Sequence, residues 1–175
     1  HLGVRRQRQM CIRDSHSGDH IVFMTEPGGE EELLKLSGQN NGVIKNVMIL
    51  GGGRVGKKVA QDLSSNNFNV KLVEIDKDRA EELAEDLENC LVIYGDGTNT
   101  ELLDEESLDQ MDSFIAATGD SEDNIMSSLI AKSKGINKTI ALVDNLDYYK
   151  LTQISGIDTL INKKLLAADA ISKHV

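Results

Sequence analysis

Short apolar runs alternate with longer amphipathic stretches from residue 43 onward. In the stretches, apolar residues recur at helical spacing, as in Val55, Val59 and Leu63. The runs are rich in branched side chains, which is typical of β-strands. They lie at residues 46–50, 70–75, 91–94, 113–118 and 139–143, with a weaker run at 159–161. Strands that alternate with helices predict a Rossmann-like α/β fold: a doubly wound parallel β-sheet of about six strands with helices on both faces.

The first 45 residues lack this regular pattern. Residues 1–15 are basic and aperiodic, and we expect them to be a non-native tail, with a basic arm for an anionic partner as the alternative. Residues 16–37 hold too little apolar sequence to fold alone and predict the C-terminal fragment of a preceding domain. A polar linker at 38–45 and one α/β domain at 46–175 follow. Because no partner element follows the last helical stretch, we expect the chain to be truncated at both ends.

Composition narrows the class of partner. The formal net charge of −10 at pH 7 argues against nucleic acid, because an acidic surface repels phosphate backbones. No apolar run approaches the roughly 20 residues of a membrane span, so we expect no direct membrane insertion. Cys11 and Cys90 lack the spacing of a metal or redox site. These features favour a cytoplasmic protein without a metal site.

The segment VMILGGGRVGKKVA contains the spacing G-x-G-x-x-G in Gly51, Gly53 and Gly56. It follows a predicted strand and opens a predicted helix, which is the context that a dinucleotide-binding turn requires. Gly51 would permit the tight turn, Gly53 would let phosphates approach the backbone, and Gly56 would let helix and strand pack closely. Arg54 and Val55 belong to the same helix N-terminus, whose N–H groups and dipole attract phosphate. These five residues are candidate cofactor contacts.

The same glycines overlap the start of a P-loop, with Gly51, Gly56 and Lys57 at the required spacing. A P-loop needs Ser or Thr at the next position to bind magnesium, and this chain has Lys58 there. The pattern therefore disfavours a nucleotide-hydrolysing motor.

An acidic residue lies at the end of the second predicted strand, VKLVEID, about 20 residues beyond the glycine turn. A carboxylate there, on Glu74, reaches the ribose hydroxyls of a bound adenosine and repels a 2′-phosphate, so we expect NADP to be disfavoured. Asp76 is the second candidate for this role. Lys77 and Arg79 are candidates to flank the adenine, with a solvated helix start as the alternative.

Two further loops follow predicted strands and carry small or polar residues. In an open α/β sheet, ligands bind outside the carboxyl ends of the strands, so both loops should line one crevice with the glycine turn. The alternative role for their polar members is helix capping. The candidate cofactor contacts in these loops are Gly95, Asp96, Gly97, Thr98, Thr118, Gly119, Asp120 and Asn124.

Four segments in order resemble the nucleotide-binding domain of the family that regulates potassium conductance, the RCK family, which includes the peripheral subunits of Trk potassium-uptake systems. The segments are VMILGGGRVGKKVA, VKLVEIDKDRAEELAEDL, VIYGDGTNTELL and FIAATGDSEDNIMSSLIAK. The fragment GDHIVFMTEP is similar to the closing strand of that family's small C-terminal subdomain. The resemblance implies that residues 16–37 end a first C-terminal subdomain and that a second nucleotide-binding domain follows.

The resemblance also implies a function. It indicates a cytoplasmic regulator at the inner face of the plasma membrane that binds NAD(H), with ATP or ADP as further candidates. Its expected partner is a membrane-embedded potassium channel or transporter subunit, which it would gate by a ligand-dependent conformational change. The family likeness further implies a homo-oligomer, either a dimer or a tetrameric ring.

Two other interpretations remain open. The first is a fragment of an NAD-dependent oxidoreductase. This is disfavoured because the four His residues lie at positions 1, 16, 20 and 174, outside every predicted crevice loop, and a Tyr-x-x-x-Lys pair is absent. The second is a structural domain whose nucleotide site has decayed, which the retained glycines and Glu74 disfavour. We therefore expect a domain that is not an enzyme.

Overall fold

The computed structural model describes residues 44–145, residue 148 and residues 156–162. All of them belong to the second of the two units into which the chain divides, Gly42–Val175. The expectations for the basic tail at 1–15, the preceding-domain fragment at 16–37, most of the linker and the last helix lie outside the described residues.

The described residues form alternating strands and helices in the predicted order. The strands are β1 (Asn46–Leu50), β2 (Asn69–Glu74), β3 (Cys90–Tyr94), β4 (Ser113–Ala116), β5 (Lys138–Val143) and β6 (Thr159–Asn162). The helices are α1 (Arg54–Ser65), α2 (Lys77–Asp86), α3 (Thr100–Glu105) and α4 (Ser121–Ser133), with a 3₁₀ turn at Leu108–Gln110. The predicted strand ends differ from these by at most two residues.

The six strands form one parallel sheet in the order β3-β2-β1-β4-β5-β6. This is the strand order of a doubly wound dinucleotide-binding fold, and it confirms the predicted fold class. The chain runs outward from β1 in one direction through β2 and β3, and in the other through β4, β5 and β6. The order therefore reverses at β1, and the crevice of a doubly wound sheet is expected at the carboxyl end of that strand.

A hydrophobic core covers each face of the sheet, so β1 is buried on both sides. Met48 and Leu50 belong to one core, which includes side chains of α3 and α4, such as Leu103 and Ala131. Val47 and Ile49 belong to the other core, which side chains of α1 and α2 complete. The continuous apolar runs of the sequence reflect this two-sided burial.

The inward stripe of α1 differs from the predicted one. Its buried residues are Gly56, Ala60 and Ser64, which are small and spaced four apart. Small side chains let the helix approach the sheet closely. The predicted apolar residue Val55 is 42% exposed instead, while Val59 and Leu63 pack at the margin of the core.

Candidate nucleotide-binding site

A crevice of about 280 Å³ opens at the carboxyl ends of β1, β2, β3 and β4, where the strand order reverses. Loops after all four strands contribute to it, so its residues come from widely separated parts of the sequence. The lining consists of Leu50, Gly51, Gly53, Val73, Glu74, Ile75, Arg79, Asp96, Gly97, Thr98, Thr118, Gly119, Asp120 and Asp123.

The three motif glycines have different structural roles. Gly51 has φ +94°, and a Cβ there would lie 2.9 Å from the backbone N of Thr118, so both conformation and space require glycine. A Cβ on Gly56 would lie 1.9 Å from the carbonyl oxygen of Gly51, which shows how closely α1 approaches the turn. A Cβ on Gly53 would meet nothing within 4 Å. The space above Gly53 is therefore open, as a phosphate site at a helix N-terminus requires.

The acidic end of β2 is joined to the glycine turn. Glu74 is buried, with 7% exposure, and its Oε2 accepts a 2.6 Å hydrogen bond from the backbone N of Gly52. Its Oε1 accepts a 3.0 Å bond from the backbone N of Asp76. Because an ionised carboxylate has about four lone-pair sites, two remain for a ligand.

Asp76, the second candidate for the ribose contact, lies outside β2, which ends at Glu74. It follows the end of β2 and caps α2, with its Oδ1 accepting from the backbone N of Arg79. It is not part of the crevice lining. Lys77 is also outside that lining and lies 3.8 Å from Glu81 in an exposed ion pair. Arg79, from the same turn, does line the crevice.

The loop after β3 is organised by Asp96. Its Oδ1 accepts hydrogen bonds from the backbone N and the hydroxyl of Thr98, at 2.9 and 2.7 Å. These two bonds hold the pKa of the Asp96 carboxyl below its ordinary value, so it carries its charge at neutral pH. The cap of α3 is Asn99 rather than Asp96 or Thr98. Asp96 and Thr98 therefore face the crevice without capping the helix.

The loop after β4 is held by Asn124, which is fully buried. Asn124 Oδ1 accepts from the backbone N and the hydroxyl of Thr118, at 2.9 and 2.7 Å, and its Nδ2 donates to the carbonyl of Leu142 at 2.8 Å. The expectation of a direct ligand contact at Asn124 does not fit this position, because its amide faces the protein interior. Asp120 caps α4 and also lines the crevice.

A second, smaller compartment adjoins the crevice on the side of α1 and α2. It has a volume of about 200 Å³, and Gly53 and Arg79 line both spaces. Its other lining residues are Gly52, Arg54, Lys57, Glu82 and Leu83. Arg54 thus faces this compartment and not the main crevice.

Nine of the sixteen predicted contacts lie together in the crevice: Gly51, Gly53, Glu74, Asp96, Gly97, Thr98, Thr118, Gly119 and Asp120. Seven lie outside its lining: Arg54, Val55, Gly56, Asp76, Lys77, Gly95 and Asn124. Sequence reasoning missed the apolar lining, namely Leu50, Val73 and Ile75. The sequence does indicate Ile75, because an apolar residue stands there between two acids at the end of a strand. In the structure its side chain is 65% exposed.

No group of three or more His, Cys, Asp or Glu side chains in the described part of the chain has the geometry of a metal site. Cys90, at the start of β3, is half-buried, and burial raises the pKa of its thiol to about 11. Among the helices of residues 44–145 and 156–162, none has the length and apolar character needed to cross a bilayer.

The fold and the crevice define a Rossmann-like domain with a glycine-turn site at the switch point of its sheet. The TrkA-N domain model matches residues 47–163, and the chain belongs to this family.

Relatives agree with this assignment. The chain is 42% identical over 131 residues to the Trk system potassium uptake protein TrkA of Vibrio alginolyticus. The match covers 75% of this chain and 28% of that protein. It is 34% identical over 158 residues to a Trk system potassium uptake protein trkA homolog of Methanosarcina mazei, covering 90% of this chain and 39% of that one. The chain thus spans less than half the length of these relatives.

Solved structures share the fold. The TrkA-N domain of the inner membrane protein ybaL from Escherichia coli superposes with a TM-score of 0.67 at 17% identity, covering 76% of this chain and 98% of that domain. The GsuK channel bound to NAD gives 0.59 at 20% identity, covering 75% of this chain and 25% of that one. GsuK bound to ADP gives 0.60 at 23% identity, with 70% and 32% covered.

Proposed function

We propose that this domain senses an adenine nucleotide, NAD(H) or ATP/ADP, within a cytoplasmic subunit that regulates a membrane-embedded potassium channel or transporter. The observation that carries the proposal is the open space above Gly53, at the N-terminus of α1, with the buried carboxylate of Glu74 in the same crevice. Phosphate and ribose are the two chemical groups that every adenine nucleotide shares.

The phosphates would lie against Gly53. The first N–H groups of a helix have no partner within the helix, and they carry its positive dipole end. In this chain the absence of a Cβ at Gly53 leaves room for oxygen atoms to reach them. Gly51, Thr118 and Gly119 border the same space. These features support binding of a diphosphate.

The ribose would lie against Glu74, whose carboxylate keeps acceptor capacity beyond its bonds to Gly52 and Asp76. Next to it, Ile75 and Val73 offer an apolar surface suited to the base. Asp96 and Thr98, from the loop after β3, line the same crevice. We expect them to contact the sugar or the second half of a dinucleotide.

The role in potassium uptake rests on the relatives. Those named above are potassium uptake proteins of Trk systems, and two structures with this fold are GsuK channels bound to NAD and to ADP. We infer that the whole protein forms a homo-oligomer, a dimer or a tetrameric ring, at the inner face of the plasma membrane. A nucleotide that draws the crevice loops together would favour one of two arrangements of the oligomer and thereby gate the partner.

The proposal is tested by substituting Gly53 and measuring nucleotide binding. Gly53→Val fills the space above the turn, while φ −61° suits any residue and the added Cβ meets no atom. We expect NADH, ADP or ATP to raise the melting temperature of the parent, since ligand at 100 times its Kd adds about 2.7 kcal/mol. Isothermal titration should detect no binding to Gly53→Val.

The matched control is Lys58→Gln, on the exposed side of α1, where Lys58 pairs with Asp62 at 2.8 Å. This variant should bind nucleotides like the parent. Equal binding by the parent and Gly53→Val, with both folded, would contradict the proposed site. The absence of any adenine-nucleotide binding to the parent would overturn the proposed function.

A further inference from the structure

The compartment beside the crevice is unusually basic for this chain. Three of its lining side chains, Arg54, Lys57 and Arg79, are cationic, and one, Glu82, is acidic. The chain as a whole carries a formal net charge of −10. A local excess of positive charge in an acidic protein attracts an anion to that place in preference to the rest of the surface.

The two arginines of this compartment are available for a ligand. Within the described part of the chain, neither the Arg54 nor the Arg79 guanidinium makes a hydrogen bond or an ion pair with a protein group. Lys57 differs, because its Nζ pairs with Asp86 at 2.5 Å, and this bond raises the pKa of Lys57. Guanidinium groups bind phosphate through paired, charge-assisted hydrogen bonds. The two arginines are therefore the expected anion ligands.

The compartment also lies next to the predicted ribose position. Gly52 lines it, and the backbone N of Gly52 donates to Glu74 Oε2. Gly53 and Arg79 line both this compartment and the crevice. A ribose that contacts Glu74 would thus have Arg79 and the basic compartment beside it.

The carboxylate of Glu74 is the feature that normally excludes a phosphate from this position. Here both of its oxygens accept backbone hydrogen bonds, from Gly52 and Asp76. These two N–H dipoles offset part of its negative charge, and Arg79 lines the same crevice as Glu74. The repulsion expected from the sequence is therefore opposed by two uncommitted cations.

We infer that the compartment formed by Arg54, Lys57 and Arg79 is a subsite for a phosphate monoester on the 2′ carbon of the adenosine ribose. The inference rests on the proposed function, since it places the rest of the nucleotide in the main crevice. The domain would then bind NADP(H) as well as NAD(H), and the guanidinium groups of Arg79 and Arg54 would donate hydrogen bonds to the additional phosphate.

NADH and NADPH are matched probes, because they differ only in the 2′-phosphate. Isothermal titration of the full chain with each, at one fixed salt concentration, gives the ratio of the two Kd values. We expect the parent to bind NADPH at least as tightly as NADH. Arg79→Gln and Arg54→Gln should each raise the Kd for NADPH by about tenfold or more, the loss expected for one charged hydrogen bond. For Arg54→Gln, which changes a side chain outside the main crevice, the Kd for NADH should change less than about threefold, because NADH places no phosphate in this compartment.

Lys58→Gln removes a neighbouring positive charge of α1 outside both spaces and should leave both Kd values unchanged. The inference is overturned if the parent binds NADH but prefers it to NADPH by about tenfold or more, the size of one charged hydrogen bond. It is also overturned if Arg54→Gln weakens NADH and NADPH by the same factor. If the parent binds neither dinucleotide nor ADP nor ATP, the proposed function fails and the subsite fails with it.

Discussion

Glu74 and Gly52 are joined by a 2.6 Å hydrogen bond in which the buried carboxylate accepts from the backbone N–H of the glycine turn. The bond fastens the carboxyl end of β2 to the loop after β1. Because the second carboxylate oxygen accepts from Asp76 N, the same side chain also fixes the start of α2. Glu74 therefore organises three segments of the site before any ligand binds.

This geometry predicts that Glu74→Gln lowers stability as well as affinity. The amide keeps one acceptor oxygen and places an NH₂ group against one of the two backbone N–H donors. Leaving a buried donor unpaired costs about 1–3 kcal/mol, which lowers the melting temperature by several degrees in a domain of this size. Calorimetry without ligand measures this directly. Glu85→Gln, an exposed change on α2, is the control, and equal melting temperatures for the two variants would contradict the structural role.

The glycine turn predicts unequal losses of stability for two single-methyl substitutions. Gly56→Ala places a Cβ 1.9 Å from the carbonyl oxygen of Gly51, so α1 must move away from the turn. We expect a loss of about 1–3 kcal/mol or more in the free energy of unfolding, as for other overpacked sites. Gly53→Ala adds the same methyl group to open space and should change it by only a few tenths of a kcal/mol to about 1 kcal/mol. Urea unfolding of both variants decides the comparison, and equal losses would show that the turn adapts.

Periodicity was sufficient to predict the sheet, because β1 and its neighbours are buried on both faces and appear as continuous apolar runs. The strand–glycines–helix context similarly located the turn. Local pattern was less informative at Asp76, where an acid shortly after a strand suggested a second ribose ligand. The competing signal was present in the sequence: Asp76 precedes Arg79 by three residues, the spacing of a helix N-cap, and the structure shows that hydrogen bond.

The hydrogen bonds of Asn124 could not be predicted from its own segment. Its position depends on the carbonyl of Leu142, 18 residues later and on another strand. No local pattern reveals such a contact. The basic compartment was missed for the same reason, because Arg54 and Arg79 come from different helices and line one compartment only in the folded domain.

The position of Asn124 predicts a structural effect of its removal. Asn124→Ala leaves the backbone N of Thr118 and the carbonyl of Leu142 without their amide partner in a fully buried place. We expect the free energy of unfolding to fall by about 2–4 kcal/mol, combining an unpaired buried group with a small cavity. Nucleotide affinity should fall only through the loosened loop. A variant as stable as the parent that had lost binding would restore Asn124 as a ligand contact.

The domain is also expected to catalyse no hydride transfer. Hydride transfer to a carbonyl usually needs a positioned proton donor, and the sequence has neither a His between residues 21 and 173 nor a Tyr-x-x-x-Lys pair. Incubation of the full chain with NADH and a panel of carbonyl compounds should therefore show no protein-dependent loss of absorbance from the reduced cofactor. Oxidation that disappeared in the Gly53→Val variant would instead support the oxidoreductase interpretation.

A final prediction concerns the dependence of stability on pH. Asp158 accepts hydrogen bonds from Lys132 on α4, at 2.9 Å to each oxygen, and from the backbone N and hydroxyl of Thr139 on β5, both at 2.8 Å. Burial alone would raise the pKa of its carboxyl, but the bonds from Lys132 and Thr139 outweigh burial and hold the pKa below its ordinary value of 3.8. A carboxyl whose pKa is lowered in the folded state stabilises the fold above its unfolded pKa, and this contribution is lost as the pH falls through the folded value.

Asp158→Asn removes the charge and part of the acceptor capacity, so at neutral pH we expect the free energy of unfolding to fall by about 1–3 kcal/mol. The difference from the parent should shrink below about pH 4, where the parent's own carboxylate becomes protonated. Asp109→Asn, an exposed change of the same charge, is the control for the effect of net charge. The melting temperatures of the parent, Asp158→Asn and Asp109→Asn should be measured from neutral pH down to about pH 3. This range extends below the ordinary pKa of an Asp carboxyl, where Asp158 is expected to titrate. A constant difference between parent and Asp158→Asn across that range would show that packing, and not the charge of Asp158, holds α4 to β5.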